Sequence, residues 1–147
     1  MATVQQLLTA KGSQEVFTIN QESSVVNAAK QMNEHQIGAL VVTDDGDRVK
    51  GIFTERDVLQ RVVAAQLDPA STRVDQVMTQ EIACCRTDTT IEEARSIIKN
   101  KRIRHLPVVG QNMQLQGMIS IGDLNAYHTN NQAVAIQYLH EYIYGRT

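Results

Sequence analysis

Aromatic residues are scarce in this sequence: they make up only 4% of its 147 residues, and Trp is absent. Hydrophobic residues nevertheless account for 42% of the chain, close to the average of soluble globular proteins. The core is therefore predicted to be aliphatic, built from Val, Ile, Leu and Ala. The length fits one ordinary globular domain.

An excess of charge of one sign is also missing. The chain has 14 basic and 16 acidic residues, which gives a formal net charge of −2. This balance provides no general attraction to nucleic acids or to anionic membranes. Neither a helix-turn-helix pattern nor a basic stripe is evident. We therefore expect neither nucleic acid nor membrane among the partners of this protein.

Long apolar runs and cysteine pairs are absent as well. No stretch of about 18 apolar residues predicts a membrane span, and the first residues lack the basic region of a secretory signal. Cys84 and Cys85 are the two cysteines, and direct neighbours do not meet disulfide geometry. A reducing, cytoplasmic location is expected. The favoured interpretation of the two thiols is small buried strand residues, and the alternative is a redox sensor.

Catalytic and metal-binding motifs are not found. The four histidines, His35, His105, His128 and His140, have no paired ligand spacing, and no Cys-x-x-Cys pair is present. Serine hydrolase, zinc protease and Walker patterns are absent too. We expect a protein that is not an enzyme and holds no metal. His35 and His140 are predicted to be surface residues of helices.

An internal repeat is the main positive feature of the sequence. Residues 16–57 align without a gap on residues 82–123, a displacement of 66 positions, as from Asp57 to Asp123. Upstream, VQQLLT at 4–9 resembles VDQVMT at 74–79. The identical positions are Ala28, Ile37, Leu40, Val42, Gly51 and Asp57, which recur as Ala94, Ile103, Leu106, Val108, Gly117 and Asp123. The chain is therefore a tandem repeat of one unit.

Each copy is predicted to be a β-α-β-β-α unit. The strands are expected at 16–19, 38–42 and 49–54, and at 82–85, 104–109 and 115–120. Between the first and second strands, apolar residues recur with the spacing of a half-buried helix, and Thr90 with Glu93 predicts a capping box. The apolar faces are Val25, Ala28, Ala29 and Met32, and Ile91, Ala94, Ile97 and Ile98.

The connections within the first copy carry two further expectations. DDGD at 44–47 predicts a hairpin turn in which Asp-Gly supplies the positive φ. The last helix of each copy should begin at Thr54 and at Ser120. In the first copy this helix is predicted to bury Val58, Leu59, Val62 and Val63.

The repeat predicts the division of the chain into segments. Residues 1–67 form the first copy, 68–129 the second, and 130–147 a helical tail. Because a unit of about 60 residues buries little surface, the two copies are expected to pack into one globule. The tail has Ile136, Leu139, Tyr142 and Ile143 on one side. It could cap its own globule or form a dimer contact, since aromatic residues are enriched at interfaces.

The motifs of the two copies resemble those of cystathionine-β-synthase-type (CBS) domain pairs, also called Bateman modules. The matching segments are GIFTERD at 51–57, GMISIGD at 117–123, VMT at 77–79 and RIRHLPVV at 102–109. The resemblance covers about residues 4–128 and is strongest to small stand-alone CBS-pair proteins. It implies an α/β (α+β) fold in which two repeats pack with pseudo-two-fold symmetry, followed here by a C-terminal helix. It also implies a tendency to form homodimers.

The resemblance further implies a ligand. CBS pairs bind adenosine compounds, such as AMP, ADP, ATP, NAD(H) or S-adenosylmethionine, in the clefts between repeats. The implied role is that of a regulatory module in signal transduction and energy sensing, which responds to an adenine nucleotide through changed packing of repeats or subunits. The alternative is a ligand-free dimerisation scaffold for a partner protein. A redox-responsive role for Cys84 or Cys85 is a third hypothesis.

Candidate ligand-binding residues lie where a strand passes into a helix. Thr54 with Asp57, and Ser120 with Asp123, combine a hydroxyl with a carboxylate at a helix start. A carboxylate can accept both hydroxyls of a ribose, and free N–H groups at a helix start favour phosphate. The same spacing also describes a helix cap, which needs no ligand. Residue chemistry leaves both interpretations open, and the resemblance favours nucleotide binding at one or both sites.

The two copies differ in their cations near these positions. In CBS pairs, polar residues just before the second strand commonly face the ligand, which implies this role for Arg104 and His105. The first copy has Gly38 and Ala39 there, although Arg56 could supply a positive charge. The two sites are therefore expected to be unequal. Lys99, Lys101 and Arg102 are predicted to be solvated residues of a helix end.

Overall fold

The computed structural model describes residues 2–12 and 16–129. The predicted tail at 130–147 and His140 lie outside these ranges. The helices and strands occur in the order α1 (Val4–Lys11), β1 (Thr18–Asn20), α2 (Val25–His35), β2 (Ala39–Thr43), β3 (Val49–Thr54), α3 (Glu55–Asp57), a π-helical segment (Val58–Val63), α4 (Val74–Val77), α5 (Ile91–Lys101), β4 (His105–Val109), β5 (Leu115–Ser120) and α6 (Ile121–Thr129). Mixed α/β structure is confirmed.

The described residues form two compact units. The first-repeat unit contains residues 16–82 and 111–115, and the second-repeat unit contains residues 2–12, 83–110 and 116–129. In the first-repeat unit, β2 lies between β1 and β3, parallel to the former and antiparallel to the latter. In the second-repeat unit, β4 pairs with β5. The predicted sequence of elements is confirmed in the first copy.

The N-terminal segment packs on the second repeat rather than on the first. The N–H groups of Val4 and Gln5 donate to the carbonyls of Thr89 and Thr87 at 2.8 and 2.9 Å, and Val4 and Leu7 are buried in the core of the second-repeat unit. The equivalent helix α4 packs on the first repeat, where the Val74 N–H donates to the Ser23 carbonyl at 2.8 Å. The predicted boundaries 1–67 and 68–129 follow the two copies in the sequence. The compact units are composed differently, because the helix that precedes each copy packs in the unit of the other copy.

The hairpin between β2 and β3 is confirmed, but its turn differs from the prediction. The left-handed residue is Asp47, with φ of 60°, and Gly46 does not have a positive φ. The Asp44 carboxylate accepts the N–H groups of Gly46 and Arg48 at 2.9 and 3.0 Å. This side-chain turn fixes the backbone through Gly46 and leaves the positive φ to Asp47, a residue type that tolerates it.

The first strand of the second copy is shorter than predicted. At the expected strand 82–85, only Cys85 forms a bridge, with Val108. The residue that aligns with Val41 of the first copy is Pro107. The Val41 N–H donates to the Phe17 carbonyl at 3.2 Å, and proline has no N–H with which to make that bond. The ladder is therefore reduced to a single bridge.

The predicted apolar faces of the first helices are confirmed for Val25, Ala28 and Met32 in α2 and for Ile91, Ala94 and Ile98 in α5, which are buried, whereas the predicted Ala29 and Ile97 are half-buried. The prediction for the last helix of the first copy is wrong in part. Val62 is buried and Val58 packs against the core, but Leu59 and Val63 are 63% and 60% exposed. The segment is wound as a π-helix, in which the Ala64 N–H donates to the Leu59 carbonyl five residues earlier. Leu59 and Val63 lie beside the buried face of this segment and not on it.

The helices found in the described parts of the chain are all too short or too polar to cross a membrane.

Candidate functional site

The Thr54–Asp57 pair forms the start of α3 as a reciprocal capping box. The Thr54 N–H donates to Asp57 Oδ2 at 3.0 Å, and the Asp57 N–H donates to Thr54 Oγ1 at 3.2 Å. The Asp57 residue is only 5% exposed. The sequence-predicted pair is thus brought together, and its observed contacts are those of a helix cap.

Two further side chains contact the Asp57 carboxylate. Thr79, which follows α4, donates from Oγ1 to Asp57 Oδ1 at 3.1 Å. The Arg61 guanidinium lies 3.6 Å from the same oxygen and donates to the Met78 carbonyl at 3.0 Å. Arg56, the predicted cation, is exposed and has no hydrogen bond or ion pair with another described residue. The cation at this position is therefore Arg61, which the spacing of four residues on a helix could have indicated.

Ser120 and Asp123 repeat this arrangement at the start of α6. The Ser120 N–H donates to Asp123 Oδ2 at 2.8 Å, and the Asp123 N–H donates to Ser120 Oγ at 3.0 Å. The Lys11 ammonium at the end of α1 donates to Asp123 Oδ2 at 2.7 Å and to the Met118 carbonyl at 2.8 Å. Both side chains of this ion pair are largely buried, with exposures of 15% and 9%.

Lys11 is a residue that sequence reasoning missed. It lies 112 residues from Asp123 along the chain, so no local spacing could have paired the two. Its position follows from the docking of α1 on the second-repeat unit. The two repeated aspartates, Asp57 and Asp123, are thus each contacted by a cation, but the two cations come from different parts of the repeat. The carboxylate is common to both copies, and the position of its cation is not.

Arg104 and His105 are exposed residues at the start of β4. The Arg104 carbonyl accepts the Ile121 N–H at 3.0 Å, which places the Arg104 backbone beside the first residue of α6. At the matching position of the first copy, the Gly38 carbonyl accepts the Glu55 N–H at 3.0 Å. The Glu55 carboxyl group lies over Gly38, 3.3 Å from where a Cβ would be. One junction therefore has an arginine where the other has a carboxylate.

The described residues show no arrangement of metal ligands, because no group of three His, Cys, Asp or Glu residues among them lies close enough to hold an ion. What the two junctions offer instead is a hydroxyl, a carboxylate and a cation side by side. These groups can accept and donate hydrogen bonds and can neutralise an anion. In both junctions the hydroxyl accepts a backbone N–H as part of a helix cap, so it is not arranged as a nucleophile with a neighbouring base.

Cys85 lies in the apolar interior of the second-repeat unit, and its neighbour Cys84 is half-buried. Burial raises the pKa of Cys84, and burial together with the neighbouring Cys84 raises the pKa of Cys85 from its ordinary value of 9.0 to about 12. Because the thiolate is the reactive form, a raised pKa slows oxidation and alkylation. Cys85 itself is buried among core residues, including Leu106 and Val108. These surroundings favour the structural interpretation of both thiols.

The tandem α/β repeat with its two strand-to-helix capping boxes defines a class of paired repeat domains. The CBS domain family model matches residues 12–64 and 74–128. The chain therefore belongs to the CBS domain family, and it carries two CBS domains. The resemblance of the repeat motifs is confirmed.

Known relatives agree in size and fold. The CBS domain-containing protein YhcV of Bacillus subtilis is 31% identical over 133 residues, which cover 90% of each chain. A solved CBS-domain protein from Burkholderia ambifaria is 37% identical, with a TM-score of 0.76, and the match covers 89% of this chain and 96% of that one. The CBS domain pair of protein MJ0100, solved with 5′-methylthioadenosine and S-adenosyl-L-methionine, is 20% identical with a TM-score of 0.71, over 88% and 97% of the two chains. Its likeness shows the fold.

Proposed function

We propose that this protein is a regulatory sensor that binds an adenosine compound at the Ser120–Asp123 junction of the second-repeat unit. The observation that carries the proposal is the Asp123 carboxylate, held in place by the Ser120 N–H at 2.8 Å and positioned beside the start of α6. A fixed carboxylate can accept the two hydroxyls of a ribose. The role is non-catalytic, and a cytoplasmic location suits it.

Support for an adenosine ligand comes from the family. In the CBS domain pair of protein MJ0100, 5′-methylthioadenosine and S-adenosyl-L-methionine are bound. Both molecules consist of adenosine with a substituent at the 5′ position, and AMP, ADP, ATP and NAD(H) share the adenosine part. The ribose hydroxyls are common to all of these compounds. A site built around a carboxylate would therefore recognise the class, and the groups near the 5′ position would select the member.

Both junctions have cations nearby, and the charge that favours the second-repeat junction is the carboxylate of Glu55 at the first. Around Asp123 lie the Lys11 ammonium and the backbone of Arg104, whose side chain is exposed. At the corresponding place in the first copy, the Glu55 carboxyl group covers Gly38 and would repel a phosphate. His105 and Arg104 are the proposed phosphate contacts.

A sensor also needs two states of unequal affinity, because a ligand shifts an equilibrium only by its differential binding. We propose that ligand binding at Asp123 changes the packing of repeats or subunits. The regulated partner would recognise one of the two states. Thr54, Arg56 and Asp57 would form the weaker site.

The test is a titration of the purified protein with AMP, ADP, ATP, NAD, NADH and S-adenosylmethionine, followed by thermal unfolding and calorimetry. A ligand at 100 times its Kd should add about 2.7 kcal/mol to the free energy of unfolding. Asp123→Asn should abolish the effect of the preferred ligand, and the matched variant Asp57→Asn should retain most of it. A protein whose unfolding temperature responds to none of the six compounds at millimolar concentration would contradict the proposal.

A dimerisation scaffold is the second candidate function, and one observation favours it. Leu59, Val63 and Leu67 are 63%, 60% and 43% exposed on the first-repeat unit, and large apolar side chains of this kind are often covered by a partner. A second copy of the chain is the proposed partner. Leu59→Glu with Val63→Glu should halve the mass measured in solution by light scattering. An unchanged dimer in the double variant, or a monomeric wild-type protein, would exclude this surface.

A further inference from the structure

Lys11 contacts the Asp123 carboxylate of the proposed ligand site, and its role there is still to be assigned. Its ammonium bridges Asp123 Oδ2 and the Met118 carbonyl at 2.7 and 2.8 Å, and it is only 15% exposed. The helix that carries it is fixed at its other end by a capping box of Thr3 and Gln6 and by the Val4 hydrogen bond to Thr89. The ammonium is therefore a built part of the junction and not a chance surface contact.

The acceptor capacity of Asp123 sets a limit on ligand binding. A carboxylate oxygen has two lone pairs, and Oδ2 already accepts the Ser120 N–H at 2.8 Å and the Lys11 ammonium at 2.7 Å. The Ser120 bond belongs to the helix cap and is retained. A ribose whose two hydroxyls use both oxygens of Asp123 must consequently displace Lys11 from Oδ2.

Displacement has a different consequence for neutral and for phosphorylated ligands. A largely buried ammonium that loses its carboxylate partner is costly unless it finds another anion. Adenosine offers no anion, so its binding would leave Lys11 without compensation. A nucleoside 5′-phosphate brings its own negative charge into the same junction, and a charge-assisted bond to the ammonium can replace the lost one.

We infer that Lys11 determines ligand specificity at this junction, selecting nucleoside 5′-phosphates over neutral nucleosides by exchanging Asp123 for phosphate. The inference rests on the proposed adenosine site at Asp123. The selectivity for phosphate is thus assigned to α1, the helix that precedes the first copy, although the Asp123 motif that its Lys11 contacts belongs to the second copy. At the first-repeat junction the cation beside Asp57 is Arg61, which comes from the same helical segment as Asp57 and not from a leading helix, and Thr79 supplies a neutral hydroxyl instead.

The experiment compares AMP with adenosine by calorimetry on the wild-type protein, Lys11→Gln and Lys11→Arg. The Gln side chain has no charge but can still donate a hydrogen bond to Asp123. This remaining bond helps to preserve the fold. The ratio of the adenosine Kd to the AMP Kd should fall at least about tenfold in Lys11→Gln, the size expected for one charge-assisted hydrogen bond. Lys11→Arg should keep most of the preference. Lys11→Met serves as a second uncharged variant, and circular dichroism checks the fold of all three.

The outcomes separate this inference from the proposed function. Equal changes in both Kd values in Lys11→Gln would give Lys11 a purely structural role and overturn the inference, while the site itself would stand. The control Arg61→Met removes the cation beside Asp57 and should leave the ratio unchanged. An equal fall in that control would indicate a general loss of positive charge and would also overturn it. A wild-type protein that binds neither compound would refute the proposed site as well.

Discussion

Thr79 donates a hydrogen bond from Oγ1 to Asp57 at 3.1 Å, and Thr79 comes from the segment that leads into the second copy of the repeat. The corresponding carboxylate of Asp123 is contacted by Lys11, from the segment that leads into the first. Each of the two aspartates is thus supported by the leading segment of the other copy. The chemistry of that support differs, a neutral hydroxyl in one unit and an ammonium in the other.

Replacing Thr79 by Val tests the contribution of this contact to stability. The variant removes the hydroxyl that donates to the Asp57 carboxylate. Because Asp57 is only 5% exposed, the free energy of unfolding should fall by about 1–2 kcal/mol. Urea unfolding followed by circular dichroism measures it. Thr9 aligns with Thr79 in the repeat but donates to the Gln5 carbonyl of its own helix, and it is exposed. Thr9→Val should change stability by less than about 0.5 kcal/mol. Equal losses in the two variants would contradict the assignment.

The two repeat glycines Gly51 and Gly117 should differ in their tolerance of alanine. A Cβ at Gly51 would lie 2.6 Å from the Thr79 carbonyl oxygen, which belongs to the backbone and cannot move aside. At Gly117 the nearest atom is a Leu8 methyl group at 3.1 Å, which a small side-chain adjustment relieves. Gly51→Ala should therefore cost about 2–3 kcal/mol, and Gly117→Ala less than about 1 kcal/mol. Thermal unfolding of the two variants gives the comparison, and the reverse order would be inconsistent with these contacts.

Val62 and Val63 are neighbours that test which face of the π-helical segment is buried. Val62 is 1% exposed in the core, whereas Val63 is 60% exposed. Truncation of Val62 to Ala should cost about 2 kcal/mol because it leaves a cavity, and truncation of Val63 should change stability by less than about 0.5 kcal/mol. Similar losses in the two variants would contradict the observed orientation of this segment. Denaturant unfolding at low protein concentration makes the measurement.

The Cys85 thiol should make stability depend on pH in the alkaline range. Its pKa is raised from 9.0 to about 12 by burial and by Cys84. Above pH 9 the unfolded chain loses this proton while the folded protein keeps it, so stability declines with rising pH. The difference in unfolding free energy between the wild-type protein and Cys85→Ala should be constant below pH 9. It should then shrink toward pH 12, by up to about 1.4 kcal/mol per pH unit.

Thiol labelling provides the matching measurement at lower pH. Both cysteines should react with a maleimide far more slowly in the folded protein than in urea, because thiolate character and access are both reduced. Cys84→Ser and Cys85→Ser report on each position separately. Rapid labelling of the folded protein at neutral pH would revive the redox hypothesis.

The sequence was informative where a local rule controls the structure. The hairpin strands, the Thr90–Glu93 cap and the buried faces of α2 and α5 all depend on the spacing of nearby residues. The same is true of the Thr54–Asp57 and Ser120–Asp123 pairs, which the sequence placed at helix starts. What spacing could not decide was whether these pairs serve only as caps, because a cap and a ligand site use the same groups.

The sequence failed where tertiary structure or a single substitution overrides the pattern. Pro107 removes one N–H from the ladder and shortens the first strand of the second copy, an effect that the aligned Val41 does not show. Leu59 is exposed in the π-helical segment, although the apolar pattern of the sequence predicted that it is buried with Val58 and Val62. Lys11 reaches Asp123 only because α1 docks on the distant repeat, a contact for which no local signal exists.

The exchange of leading helices also imposes an order on the formation of the chain during synthesis. The first-repeat unit draws almost entirely on one continuous stretch, residues 16–82, and can assemble as soon as that stretch has emerged from the ribosome. Helix α1 is made before this stretch, yet Asp123, the carboxylate partner of its Lys11, follows 112 residues after Lys11. The apolar side chains of Val4 and Leu7 cannot reach their native core before the second repeat has been made, so α1 docks later than the helices that follow it in the first repeat.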